Sequence, residues 1–146
     1  MIEVLNLVIV VLLVLANGFF VASEFALVGV RKSRIEMLAK AGSRRARRLL
    51  PLVNNLNAYI SATQLGITLA SLALGWIGEP AVAHLLEVPL KGRVSDTVLH
   101  TIAFSIAFSI MAFLHIVLGE LAPKTLALER AEKTALAIAL PLEIFY

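Results

Sequence analysis

The chain has 146 residues, 60% of them hydrophobic, with a formal net charge of +3 and no cysteine; its mean hydropathy is +0.90. Soluble domains hold roughly 45–50% apolar residues, so a water-soluble fold is excluded. The absence of thiols excludes a disulfide framework and a thiolate metal site.

The apolar excess is concentrated in three stretches. Residues 4–30 carry one ionisable side chain, Glu24; residues 58–78 carry no charge; residues 97–118 carry only His100 and His115. Each satisfies the about 20 mostly apolar residues that a bilayer crossing needs. The expected fold is an all-α integral membrane domain over 1–146, with transmembrane helices at about 4–30, 58–78 and 97–119 and juxtamembrane amphipathic helices.

The first span opens on the acidic flank "MIE", which lacks the basic region of a cleavable signal peptide. It contains Asn17-Gly18 and Ser23-Glu24. Asn17 and Glu24 share a helical face, whereas Ser23 is turned about 100° from Glu24. One helix therefore cannot aim both Ser23 and Glu24 at one point; one reaches a site and the other supports it. A carboxylate at membrane depth marks a functional site by default. The competing reading is a structural ion pair, or a glutamate snorkelling to the surface near Arg31.

Eight of the 13 basic residues lie between Arg31 and Arg48. The segment 79–96 has only Lys91 and Arg93, offset by Glu79, Glu87 and Asp96. Basic residues stay cytoplasmic, so the N-terminus is expected outside, 31–56 inside, 79–96 as an outer loop, and everything after about 120, including 124–146, inside. A positive chain can bind nucleic acid, but this cluster flanks a span. Anionic lipid headgroups are the expected partner of Arg31–Arg48, and no nucleic acid is expected. Leucines and isoleucine among these charges predict short amphipathic helices, broken at Gly42 and before Pro51.

In the second span, Asn57, Ser61, Gln64, Thr68, Ser71 and Gly75 recur at steps of three and four, which places them on one helical face. Small and hydroxylated residues form packing seams between membrane helices. Gln64 argues for a polar cavity instead, because a full amide at mid-membrane is costly unless paired or wet. Pro80, Pro89 and Gly92 then punctuate the outer loop.

The third span ends in "HIVLGELAPKT", residues 115–125. Pro123 has no N–H, so the Gly119 carbonyl loses its helical donor. The expectation is a free oxygen lining a cavity beside Glu120, as in the broken helices of transporters. The rival is purely structural: Pro123 starts a new helix and Glu120 pairs with Lys124. Oxygen donors without sulfur suit a hard cation, such as Mg²⁺, Ca²⁺ or Na⁺. His115 is read as a helix–helix hydrogen bonder. No HExxH pairing and no nucleophile–base set is present, so an enzyme is not expected. The tail, whose uncharged part 134–142 is too short to cross, is expected to form a partly buried inner-side helix. Ending in mid-pattern at Tyr146, the chain is expected to be part of a larger protein.

The stretches "NGFFVASEFAL" (17–27), "ATQLGITLASLALGWIGEP" (62–80) and "GELAPKTLAL" (119–128) resemble the transmembrane domain of the CorC/cyclin-M family of magnesium transporters. The resemblance covers essentially the whole chain. It implies a homodimer of three-span subunits in a bacterial cytoplasmic membrane. It also implies export of Mg²⁺ driven by inward Na⁺, and nucleotide-binding domains following on the cytoplasmic side. On the matching positions, Ser23 would be the first-helix hydroxyl ligand, and Gly119 and Glu120 the third-helix pair. Many relatives read Gly-Asn-x-x-x-Asn in the second helix; this chain keeps Gly66 but has Ile67 and Ser71. The metal set implied is Ser23, Ser71, the Gly119 carbonyl and Glu120, with Asn17, Glu24, Gln64, Gly66 and Lys124 as supporting or alternative groups. The alternative function is a Mg²⁺-binding anchor or sensor that dimerises and regulates without transporting.

Overall fold

The computed structural model describes all 146 residues, and every element in it is helical. Helix α1 spans Ile2–Gly29, α2 Lys32–Lys40, α3 Arg44–Asn54, α4 Leu56–Leu90 and α5 Asp96–Ile116. A π-helical turn, Val117–Leu121, joins α5 to α6 (Ala122–Glu129), and α7 runs from Ala131 to Phe145. Three segments are long and apolar enough to cross a membrane: Ile2–Gly29, Leu56–Leu90 and Asp96–Glu129.

Two features differ from the sequence expectation. The segment 79–96, expected as an outer loop, is mostly helix: α4 continues through Pro80 and Pro89 to Leu90, leaving only residues 91–95 outside helices. Proline weakens a helix by removing one donor and pressing on the preceding turn, but α4 is packed against both α1 and α5, and Pro80 and Pro89 are themselves exposed. Likewise, Pro51 does not end a helix. It sits inside α3, which continues to Asn54. The break at Gly42 does occur, at a φ of +100° that favours glycine. Ser43 then caps α3, its Oγ accepting from the Ala46 N–H at 3.2 Å.

Helix α1 is the central post, packed against α4, α6, α7 and the π-turn. Its residues Val10 and Val14 meet Leu74 of α4 and Met111 of α5 in a small core midway along the spans. A larger core lies at the basic end, where Ala26 and Leu27 of α1 meet Ile35, Leu49 and Leu52 of α2 and α3 and Ile138 and Leu142 of α7. Helix α7 thus forms the partly buried helix expected of the tail. At the loop end, His84 Nδ1 lies 3.2 Å from Glu3 Oε1, and His100 Nδ1 lies 2.6 Å from Glu87 Oε1, linking α1 to α4 and α4 to α5.

Large apolar side chains cover the outside of the spans: Leu12 and Leu15 on α1, Leu72 and Trp76 on α4, Phe104, Phe108 and Phe113 on α5 are all exposed. In water such a surface would drive aggregation; in a bilayer it is the lipid-facing coat. Gly66 explains how α1 and α4 approach so closely. A Cβ built there would sit 2.7 Å from three atoms of the Phe20 ring, and Phe20 is itself backed by Phe145, the two rings tilted with centroids 4.6 Å apart. Gly66→Ala is expected to destabilise the domain by about 1–3 kcal/mol through overpacking, seen as a lowered melting temperature in detergent, whereas Gly75→Ala, with open space around it, should leave it unchanged.

Candidate functional site

Near the middle of the membrane, one amide connects the three spans. Asn17 is 1% exposed. Its Nδ2 donates to the Gly119 carbonyl at 2.8 Å, and its Oδ1 accepts from Ser71 Oγ at 3.2 Å. The side chain therefore joins α1 to α4 and to the π-turn. This corrects the expectation of a bare Gly119 oxygen: the carbonyl that Pro123 cannot serve is supplied by Asn17. A carbonyl has two lone pairs, so one remains beyond this bond.

The π-turn follows from the same proline. A regular helix would press the Pro123 ring onto the Gly119 carbonyl; one extra residue per turn relieves this, and the Ala122 N–H bonds to Val117 O instead. Pro123 then falls at the start of α6, where a missing N–H costs nothing. The absence of side chains lets the parts meet. A Cβ on Gly18 would lie 3.0 Å from Pro123 Cγ, and one on Gly119 would lie 3.1 Å from Asn17 Nδ2.

Below this clamp, toward the basic end, an open cavity of about 500 Å³ lies between α1, α4 and the π-turn. Asn17, Glu24, Gln64, Thr68, His115 and Glu120 line it, with Val21, Phe25 and Ile67. Gln64 Nε2 donates to Glu24 Oε1 at 3.4 Å. Glu24 is thus neither ion-paired nor turned away to the surface. Glu120 is exposed and makes no contact of ion-pair length with Lys124, whose Nζ sits 4.7 Å from the centre of the Phe25 ring. The Glu120–Lys124 pairing of the structural rival is not formed.

Of the two neighbours on α1, it is Glu24 that lines the cavity. Ser23 is fully buried, and its hydroxyl donates to the Phe19 carbonyl one turn back, at 2.7 Å. The face of α4 predicted from its spacing is present. Gln64 and Thr68 line the cavity, and Ser71 reaches Asn17, whereas Asn57 and Ser61 lie exposed nearer the basic end. Gly66 is on the opposite, packed side against Phe20. A second, smaller cavity of about 200 Å³ lies on the loop side, lined by Ser71, Gly75, Glu79, Phe108 and Met111 among others. His115 lines both cavities. The part played by Glu79 was not anticipated; it sits four residues beyond Gly75 on the polar face of α4, so the same period could have found it.

The fold and site define a three-span helical membrane domain with an acid-bearing polar cavity at mid-depth. Residues 7–146 match the cyclin M transmembrane N-terminal domain. The chain is 47% identical over 143 residues to the UPF0053 protein YhdT of Bacillus subtilis, covering 97% of this chain and 31% of that protein. It is 43% identical over 146 residues to YhdP of the same organism, covering 99% and 33%. With the uncharacterized protein Rv1841c of Mycobacterium tuberculosis it shares 39% over 146 residues, 98% and 41% of the two chains. The chain belongs to the cyclin M transmembrane domain family, is an integral membrane protein, and spans about a third of the length of these Bacillus relatives.

The clamp makes a direct prediction. Asn17→Ala leaves the Gly119 carbonyl and the Ser71 hydroxyl without partners in a buried setting, at a cost of about 1–3 kcal/mol. Ser71→Ala removes only the longer bond and should cost less than half as much. Chemical or thermal unfolding of the two variants in detergent checks the order.

Proposed function

We propose that the domain moves Mg²⁺ outward across a bacterial cytoplasmic membrane in exchange for inward Na⁺. The observation that carries this reading is the cavity at mid-membrane, lined by two carboxylates, two amides, a hydroxyl and the His115 imidazole, and by no sulfur. Such donors suit a hard cation, and the mixture of charge and neutral oxygens suits an ion that keeps part of its water. Glu120 and Glu24 would supply the charge. Gln64, whose amide N–H₂ faces Glu24, would offer its oxygen, and Gly119 its second lone pair. Ser71 lines the loop-side cavity instead, where its hydroxyl donates to Asn17. Ser23 would join the ligand set only after a χ1 turn that breaks its bond to Phe19.

The direction requires a driving ion. One elementary charge moved across 100 mV is worth about 2.3 kcal/mol, so expelling Mg²⁺ from a negative interior costs roughly twice that. No nucleotide motif in these 146 residues supplies the energy; a sodium gradient does. With the basic end inside, the larger cavity would lie on the cytoplasmic side of the clamp, and the Asn17–Ser71 bond and His115 would stand between it and the Glu79 cavity on the outer side. Outward passage would require that bond to open. A homodimer and cytoplasmic nucleotide-binding domains complete the assembly in this reading.

The test is Mg²⁺ flux from liposomes holding the purified chain, with and without an opposing Na⁺ gradient. Glu120→Gln is expected to slow flux roughly tenfold or more, the loss of a charge-assisted contact worth about 1.5–3 kcal/mol. Lys124→Met should change it by less than about threefold, since Lys124 rests on Phe25 rather than on a cavity carboxylate. A chain that associates in response to Mg²⁺ yet passes none under any Na⁺ gradient would establish the sensor or anchor reading instead.

A further inference from the structure

The basic residues of the inner-side helices differ in what they touch. Arg34 Nε meets Glu132 Oε2 at 3.2 Å, and Arg47 Nε donates to the Ala39 carbonyl at 3.2 Å; both have partners within the chain, on α7 and α2. Arg45 makes no ion pair within the chain, and Arg48 makes one, its Nε lying 3.5 Å from Glu143 Oε2. That contact uses one of five guanidinium donors and leaves the outer fork of Arg48 available.

Arg45 and Arg48 are three residues apart on α3 and so share a face. They form one wall of an open groove of about 320 Å³, whose other wall is Leu136, Ala137, Leu140 and Pro141 of α7. Arg45 and Arg48 border the buried stripe of Ala46, Leu49 and Leu52 on α3, each about 40° around the helix from the leucine four residues on. Both are exposed, so they stand at the rim of the core and face the groove. Leu140, an apolar residue, is left 44% exposed. Pro141 gives no N–H to the Ala137 carbonyl, which leaves an acceptor beside the two cations.

A guanidinium fork matches the two free oxygens of a phosphodiester. A free anion would use the arginines and leave the leucines idle; a neutral lipid would use the leucines and leave the arginines unmatched. A phosphodiester carrying acyl chains uses both walls, and a helix lying beside a span is at the depth where such headgroups sit. We propose that the groove between α3 and α7 binds one anionic glycerophospholipid, its phosphate held by Arg45 and Arg48 and its chains laid over Leu136 and Leu140. Because Glu143 offsets part of the charge of Arg48, Arg45 supplies the larger share of the attraction. The site is independent of what the membrane cavity transports.

Native mass spectrometry of the whole chain released from micelles tests this, with phosphatidylglycerol, phosphatidylcholine and inorganic phosphate as separate probes. The expected result is one phosphatidylglycerol retained about tenfold more strongly than phosphatidylcholine. Arg45→Gln with Arg48→Gln should remove that preference, Arg45→Gln alone more of it than Arg48→Gln alone. Lys32→Gln with Arg44→Gln, equal in charge lost but outside the groove, should keep at least half of it. Arg45→Lys, which retains charge without the fork, should give an intermediate loss and serves if the double variant does not fold. Equal losses from the two double variants would reduce the effect to general surface attraction and overturn the site. So would equal retention of the two lipids, or displacement of phosphatidylglycerol by millimolar inorganic phosphate.

Discussion

An amide buried at mid-bilayer is costly unless both of its ends are bonded. Asn17 meets that condition by giving its N–H to Gly119 and its oxygen to Ser71. Because the two partners lie on different elements, satisfying one side chain fixes the mutual position of α1, α4 and the π-turn. The polar cavity exists because of this. Asn17 lines it at the clamp, with Glu24, Gln64 and Glu120 on its other walls.

Pro123 and Asn17 form two halves of one solution. The proline withdraws a donor and crowds the preceding turn; the π-turn relieves the crowding, and Asn17 replaces the donor. Neither half suffices alone. Glycine at 18 and 119 then lets α1 press against the turn closely enough for a 2.8 Å bond. The outcome is a helix irregularity that is rigid on the side facing α1 and carries a free carboxylate, Glu120, on the side facing the cavity.

The basic end follows different physics. There the core is made of aliphatic side chains from α1, α2, α3 and α7, while charges lie at its rim. Ion pairs this exposed add little stability, so Arg34–Glu132 and Arg48–Glu143 set orientation more than they hold the fold. The segment combines a sealed apolar interior with a cationic outer face, which is what a helix resting on a membrane surface requires.

Hydropathy alone determined the three crossings, because a bilayer demands about 20 apolar residues per span and little else produces such runs. The period of three and four likewise placed Gln64, Thr68 and Ser71 on one face of α4, since side-chain direction in a helix is local geometry. Local rules failed where neighbours intervene. Prolines at 51, 80 and 89 read as breaks, yet α3 and α4 continue through them, because the packing of each helix against its neighbours outweighs one missing donor. The donor for Gly119 comes from a residue 102 positions earlier, a distance no local pattern encodes. The choice of Glu24 over Ser23 as the cavity residue was equally undetermined. Spacing shows that the two diverge by about 100°, but only the packing of α1 against its neighbours decides which of them faces the polar space.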